Sequence, residues 1–394
     1  MHRVTLQAGR EKSLRLKHPW VFSGAIATVD GTPGSGETVA LHAADGKFIA
    51  TAAWSPSSAI RARVWSFDAR EAIDDAFIAG RVRAAVAART PMLDAAHTGC
   101  RLVHAESDGL PGVIADRYGE VVVVQLHAAG AGAWRDSIVA ALAESTGCAA
   151  VYERSDAEVL TLEGLPPRVG AAYGVLPESV SLLEDGLSYG VDVVGGQKTG
   201  FFLDQRENRH RIRALATGGD VLDCFCYTGG FSVAALAGGA KSVLAIDSSA
   251  DALAQARENV ARNGLDGARC AWRDADVFAE LRKLRDSARS FDLIVLDPPK
   301  FAPTTRHMEK AARAYKDINL LALKLLRPGG LLATFSCSGG ISTELFQKVV
   351  AGAALDAAAD AAIVGRFSPG ADHPIALNFP EGDYLKGLLV RKKA

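Results

Sequence analysis

Apolar runs that stop at an acidic residue recur through the C-terminal half of the chain. Val221 and Leu222 lead to Asp223, Val243 to Ile246 lead to Asp247, and Leu293 to Leu296 lead to Asp297. Between the first two, Tyr227, Thr228 and the pair Gly229 and Gly230 interrupt the pattern, and a stretch of small residues follows. This order predicts strand, glycine turn, helix and strand: one βαβ unit with a ligand crevice at the carboxyl end of its first strand.

The rhythm continues. The pattern predicts a helix over 250–263, a strand near 268–272, a turn at Asp274-Ala275-Asp276 and a strand over 291–297. It then predicts a helix over 311–326, a turn at Pro328-Gly329-Gly330, a strand over 331–336 and a helix over 343–359. A closing strand, 384–390, is expected at the sheet edge. Alternating elements with ligand groups at the strand ends give a doubly wound α/β domain over residues 190–394.

The N-terminal part reads differently. From Val4 to Phe67, short apolar segments are broken by turn residues at Gly31–Gly36 and Asp45–Gly46, which predicts a small β-barrel-like module over residues 1–70. A helix over about 74–88 leads out of it. Residues 76–188 then alternate helix and strand, with a hairpin around Tyr118-Gly119, an Ala-rich helix over 131–145 and a strand over 150–153. Nothing in this stretch has catalytic spacing, and it reads as a central α/β domain that packs and spaces.

Composition narrows the picture modestly. A chain of 394 residues can form two or three domains with sizeable cores. Its start lacks an apolar signal-peptide core, and no apolar run reaches membrane-spanning length. The six cysteines are scattered without zinc spacing, so no metal site is expected and a reduced cytoplasmic setting is. The formal net charge of −1 advertises no global field for nucleic acid. Residues 1–66 nevertheless carry Arg3, Arg10, Lys12, Arg15, Lys17, Lys47, Arg61 and Arg63 against Glu11, Asp30, Glu37 and Asp45. That excess permits phosphate contacts and fits a solvated charged face equally well.

The loop after the first strand of the C-terminal domain limits the ligand. No G-x-G-x-x-G fingerprint and no G-K-[ST] follow it, so neither a dinucleotide nor a triphosphate is favoured. S-adenosylmethionine (SAM) fits better. Asp223 can meet its ammonium end, Phe225, Tyr227, Thr228 and Gly229 can line it, and Asp247 with Ser248 can take the ribose. Asp274 and Ala275 lie near the adenine position. The polar and aromatic segment 196–209 can add Phe201 or Phe202 as a cover, and Gln205 or Arg206 as hydrogen-bonding groups.

Asp297-Pro298-Pro299-Lys300 fixes its backbone through the two prolines and suits a planar nitrogenous acceptor. Cys337 ends the next strand, before Ser338-Gly339-Gly340 and a helix start. A lone cysteine is more often a small buried hydrophobe than a nucleophile. At a strand end near free amides and a helix dipole, however, a thiolate is favoured. Pyrimidine C5 is too weak a nucleophile to take a methyl directly, and thiolate addition at C6 activates it.

These motifs resemble one family. Asp223-x-Phe-x-Tyr-Thr-Gly-Gly-Phe231, Asp297-Pro-Pro-Lys-Phe301, Tyr315-Lys-Asp-Ile-Asn319 and Phe335-Ser-Cys-Ser-Gly339 are similar to the RlmI-type bacterial 23S ribosomal RNA 5-methylcytosine methyltransferases. So are Thr199-Gly-Phe-Phe-Leu-Asp-Gln-Arg206, Glu106-Ser-Asp-Gly-Leu-Pro-Gly112 and Arg10-Glu-Lys-Ser13 with His18-Pro-Trp-Val-Phe-Ser-Gly24. The resemblance is collinear over nearly the whole chain. It implies an N-terminal PUA RNA-binding domain, a central α/β domain and a C-terminal class I (Rossmann-like) SAM-dependent methyltransferase domain. It implies RNA contacts for Arg10, Lys12, Arg15 and Lys17, SAM binding at the 223–229 loop, Asp247, Asp274 and Asp297, and Cys337 as nucleophile. Catalytic positions are then Cys337, Asp297 and Lys300, the partner is 23S ribosomal RNA, and a homodimer stays open. One departure stands out: many 5-methylcytosine enzymes carry a second cysteine where this chain has Pro299. Two other functions stay open at this stage, a guanine N-methyltransferase and a non-catalytic RNA-binding assembly factor.

Overall fold

The computed structural model describes residues 1–156, 158–301 and 308–393. The chain forms two units. One comprises Met1–Gly186, Val191–Leu203 and Ala371–Gly382; the other comprises Leu187–Gly190, Asp204–Gly370 and Asp383–Ala394.

The first unit holds two sheets. A six-stranded sheet runs in the order Trp20–Phe22, Ile60–Ser66, Phe48–Trp54, Thr38–His42, His2–Leu6 and Ile26–Val29. Alternation within these strands buries Val4, Leu6, Val39, Leu41, Ala50 and Ala52 in a common core. A five-stranded sheet runs in the order Arg168–Gly174, Ala150–Ser155, Val121–Leu126, Val113–Tyr118 and Gly99–His104. Its hairpin around Tyr118-Gly119 is as the sequence predicts. The Ala-rich helix is instead two, Ala129–Ala133 and Arg135–Thr146, meeting at Trp134. Gly130 and Gly132 weaken helix propagation on the N-terminal side of that junction.

The second unit is built on a seven-stranded sheet. Its strands are β1 (Asp220–Cys224), β2 (Ser242–Asp247), β3 (Cys270–Asp274), β4 (Phe291–Leu296), β5 (Leu326–Ser336), β6 (Ala361–Phe367) and β7 (Lys386–Lys392). They lie in the order β3-β2-β1-β4-β5-β7-β6. The first five are parallel, and β7 runs antiparallel between β5 and β6. Helices α1 (Arg206–Leu215), α2 (Gly230–Ala237), α3 (Ala250–Arg262), α4 (Val277–Asp286), α5 (Met308–Leu325) and α6 (Thr343–Asp356) complete it. Side-chain caps start three of them: Ser249 accepts from the Ala252 amide, Asp276 from Ala279 and Ser342 from Leu345. Each such cap is worth about 1 kcal/mol. Leu222, Ile246, Ile294, Leu332 and Leu388 from the sheet bury against Ile318, Leu321 and Ala322 of α5.

Two expectations are corrected here. The closing strand is not at the edge; β6 lies outside it. Lys386 to Val390 are buried without alternation, the signature of an interior strand, whereas β6 is half-buried or exposed except at Phe367, although it opens on the apolar run Ala361 to Val364. Pro328-Gly329-Gly330 does not stand outside as a turn either, because β5 runs through it with a register shift opposite β4. The proline and glycines are absorbed as a strand irregularity.

Candidate active site

From β1 the chain builds outward through β2 and β3, then crosses to β4 on the other side of β1, so the carboxyl ends of β1 and β4 frame the switch-point crevice of an open α/β sheet and β2 extends it. The loop leaving β1 is held in an unusual conformation. Phe225 and Tyr227 both adopt left-handed backbone, with φ of 62° and 48°. Such residues cost about 1–3 kcal/mol each and persist only where the surroundings fix them. Here the Cys226 amide donates to the Ile246 carbonyl at 3.1 Å, and the Tyr227 amide donates to the Asp247 carboxylate at 2.8 Å. The other Asp247 oxygen accepts from the Ser249 amide at 3.0 Å. Gly229 then starts α2 with φ of 76°, where a Cβ would lie 2.9 Å from Ala256 Cβ and 3.3 Å from the Trp272 ring.

Asp223 is fully buried and accepts a hydrogen bond from Ser232 Oγ at 2.6 Å. Among the described residues its second oxygen has no hydrogen-bond partner though buried, and the same holds for Thr228 Oγ1. Burial pushes the Asp223 carboxyl up to about 7; Ser232 holds it down, while the Asp297 and Asp247 carboxylates raise it further. Three acids therefore crowd one end of the sheet with an unsatisfied acceptor among them. That arrangement costs free energy on its own and suits a cationic ligand.

The acceptor side is formed by β4 and β5. The Asp297 amide approaches the Cys224 carbonyl at 3.4 Å, tying the Asp-Pro-Pro-Lys loop to β1. Cys337, just past the end of β5, places Sγ 3.8 Å from the Pro298 carbonyl oxygen. It is half-buried, whereas the other five cysteines are buried. Burial pushes the Cys224 and Cys226 thiols well above the ordinary range, so they are inert. Helix α6 begins only at Thr343. The helix therefore starts where the pattern predicts it, and Ser338 to Ser342 form a loop between Cys337 and that helix.

The remaining sequence-predicted positions are placed as follows. Asp274 pairs in register with Asp247 at the end of β3 and is exposed, as are Ser248 and Lys300. Ala275 is half-buried, and its amide donates to the Asp247 carbonyl at 3.0 Å. Gln205 and Arg206 are buried at the start of α1. Gln205 accepts from Asn208 Nδ2 at 2.6 Å, and Arg206 pairs with Glu207 at 3.5 Å. Phe202 belongs to the first unit, where the Lys198 ammonium stands 4.6 Å from its ring.

Also in the first unit, Arg10, Lys12, Arg15 and Lys17 are exposed on and around the short helix Lys12–Arg15. A cavity of about 300 Å³ beside them is lined by Arg10, Ser13, Trp20, Phe22 and Gly24 among others. Sequence reasoning gave no role to Trp20 and Phe22, although they lie within a quoted motif. It also passed over Ser232, which orients Asp223, and gave no role to Tyr315 of the quoted Tyr315–Asn319 motif, whose hydroxyl meets Ser336 Oγ at 3.0 Å and Ser338 Oγ at 3.1 Å. A serine two residues into a helix gives no local signal for a tertiary bond. Among the described residues, no cluster of His, Cys, Asp and Glu could hold a metal ion, and no helix is long and apolar enough to cross a membrane.

The sequence profile of S-adenosylmethionine-dependent methyltransferases matches residues 145–368, and that of PUA-like domains matches residues 4–67. The chain is therefore a SAM-dependent methyltransferase with an N-terminal PUA-like domain, and SAM is its cofactor. It is 50% identical over 391 residues to ribosomal RNA large subunit methyltransferase I of Shewanella amazonensis, covering 99% of both chains. It is also 50% identical to the protein of that name from Pseudoalteromonas translucida, covering 98% of both. The chain belongs to the ribosomal RNA large subunit methyltransferase I family.

Among solved structures, one from Streptococcus mutans described as a SAM-dependent methyltransferase superposes with a TM-score of 0.85 at 23% identity, covering 99% of this chain and 100% of that one. A methyltransferase solved with SAH superposes at 0.87 with 24% identity and the same coverage. At these identities the likeness is one of fold. The site itself fits the cofactor, whose sulfonium and ammonium centres match an acid-rich crevice with an unsatisfied Asp223 oxygen.

Proposed function

We propose that this protein methylates C5 of a cytosine in 23S ribosomal RNA, with Cys337 as the covalent nucleophile. The observation that carries the reading is the half-buried Cys337 thiol against the Asp297-Pro298-Pro299-Lys300 loop. The name of the Shewanella and Pseudoalteromonas relatives supports large-subunit ribosomal RNA as substrate. The domain roles follow: residues 1–70 bind RNA, 76–188 form the central α/β domain, and 190–394 perform the transfer.

In this mechanism the target base is unstacked into the crevice at a cost of about a few kcal/mol. The Cys337 thiolate adds to C6, the C5–C6 double bond opens, and C5 gains enamine-like nucleophilicity. Asp223, Phe225, Tyr227, Thr228, Gly229, Asp247, Ser248, Asp274, Ala275 and Asp297 would hold SAM, with Gln205 and Arg206 adding hydrogen bonds, and the bound cofactor would supply an electrophilic methyl group. C5 takes up the methyl group as the methyl–sulfur bond breaks, and loss of the C5 proton to solvent restores the double bond and expels Sγ as the thiolate. Asp297 polarises the ring through N3 or the amino group, and Lys300 holds O2 or a phosphate. Arg10, Lys12, Arg15 and Lys17 contact the RNA backbone.

The test is methyl transfer from labelled SAM to large-subunit RNA from cells lacking the gene, with nucleosides identified by mass spectrometry. Wild type should yield 5-methylcytidine, and Cys337→Ala should lose at least about 10³-fold in rate while still binding SAM. A methylguanosine product, or an undiminished Cys337→Ala rate, overturns the proposal.

A further inference from the structure

Lys386 opens β7 directly opposite Ser336, the last residue of β5 before Cys337. It is buried, and its ammonium donates to the Ser338 carbonyl at 3.1 Å and the Ile341 carbonyl at 2.7 Å. Both acceptors belong to the loop that follows Cys337. Among the described residues no carboxylate lies within ion-pair distance of this ammonium. A buried cation without a paired anion is costly, and such groups are normally kept for a reason. Two backbone carbonyls solvate the charge, and the nearest acid acting on it, Asp383, does so at longer range.

We infer that Lys386 is a positioning residue for Cys337, gripping the loop behind the nucleophile and supplying the counter-charge for its thiolate. The inference rests on Cys337 acting as nucleophile. When the S–H bond breaks, the proton leaves to solvent and the negative charge stays on Sγ. The charged and titratable groups gathered there are Asp297 and Lys300 on the loop after β4, Tyr315 on α5, and Lys386 on β7, with Asp383 just before it. Burial lowers the Lys386 ammonium below its usual range, the Asp383 and Cys337 charges pull it back up, and Lys300 pushes it down. Tyr315, raised to about 12 chiefly by burial, is neutral while the thiol titrates. Asp297 opposes a thiolate, so the two lysines are the groups that favour it.

Iodoacetamide alkylation of the full-length protein tests this without RNA, since Cys337 is the one cysteine of the six that is not buried. The modified site is located by mass spectrometry, and the rate is followed from neutral to alkaline pH. In Lys386→Met the midpoint for Cys337 should rise by about one pH unit or more, and Lys386→Arg should bring it back. Lys386→Gln, which keeps a donor for the carbonyls without the charge, should behave like Lys386→Met and serves if that variant does not fold. A wild-type midpoint in the uncharged variants, even with a lower plateau rate, overturns the inference and leaves only loop support. Because alkylation needs no substrate, its outcome is separate from whether the product is 5-methylcytidine.

Discussion

The Cys337 sulfur lies 3.8 Å from the carbonyl oxygen of Pro298. This contact joins the ends of β5 and β4, two parallel neighbours in the sheet. The S–H group donates a weak hydrogen bond to that carbonyl, and ionisation removes it. The resting protein therefore holds a thiol poised against the loop proposed to receive the base, and the prolines keep that loop from yielding.

Asp223 links stability to cofactor binding through pH. Its folded-state value of about 7 is above its ordinary 3.8, so the native state holds this proton more tightly than the unfolded state does. The contribution of Asp223 to stability is therefore fully present below the ordinary value and is lost as pH rises towards 7, by up to about 4 kcal/mol for a shift of this size. Asp223→Asn should raise the melting temperature of the cofactor-free protein at pH 8 relative to wild type, with little effect at pH 4. The same variant should bind SAM at least about tenfold more weakly by calorimetry. Wild-type affinity should also drop below pH 7, as the carboxylate takes up its proton.

Gly229→Ala should be damaging for two separate reasons. The left-handed φ disfavours any Cβ, and the added carbon would meet Ala256 at 2.9 Å. A loss of about 1–3 kcal/mol in denaturant unfolding is expected, together with weaker SAM binding. A variant as stable as wild type would show that the loop relaxes freely.

Tyr315→Phe removes one hydroxyl that serves both Ser336 and Ser338. The fully buried ring keeps its packing against Phe301 at 4.9 Å and Phe346 at 5.5 Å. The expected cost is about 1–3 kcal/mol, from serine hydroxyls that lose a buried partner. Urea titration measures it, and a change under 0.5 kcal/mol, or about the size of a neutral surface substitution, would refute the account.

Replacing Arg10, Lys12 and Lys17 together by alanine should weaken RNA binding about tenfold or more at moderate salt, and flatten the dependence of affinity on salt concentration. SAM affinity should not change. Filter binding across a salt series separates this from unfolding, because unfolding would abolish both.

Much of the second unit could be read from the chain. Parallel strands buried on both faces leave continuous apolar runs, and an acid closing such a run marks a strand end, as at Asp223, Asp247 and Asp297. The helix starts at Ala250 and Thr343 are where the pattern predicts them, and the structure shows a capping serine one residue before each. These are local consequences of side-chain chemistry, which is why the sequence alone sufficed for them.

Tertiary structure decided the rest. The place of β7 inside the sheet depends on which strand the final segment pairs with, and pairing is a long-range choice that no local pattern records. The raised proton affinity of Asp223 comes first from its burial, which needs the whole fold, and then from the Asp297 and Asp247 charges brought beside it. The contact of Lys386 with the loop behind Cys337 joins residues far apart in the chain through the β5–β7 register. Sequence determined which groups stand at the strand ends, because side-chain type and period are local. Only folding determined which of them share one low-dielectric space, because burial and charge coupling arise when distant segments meet.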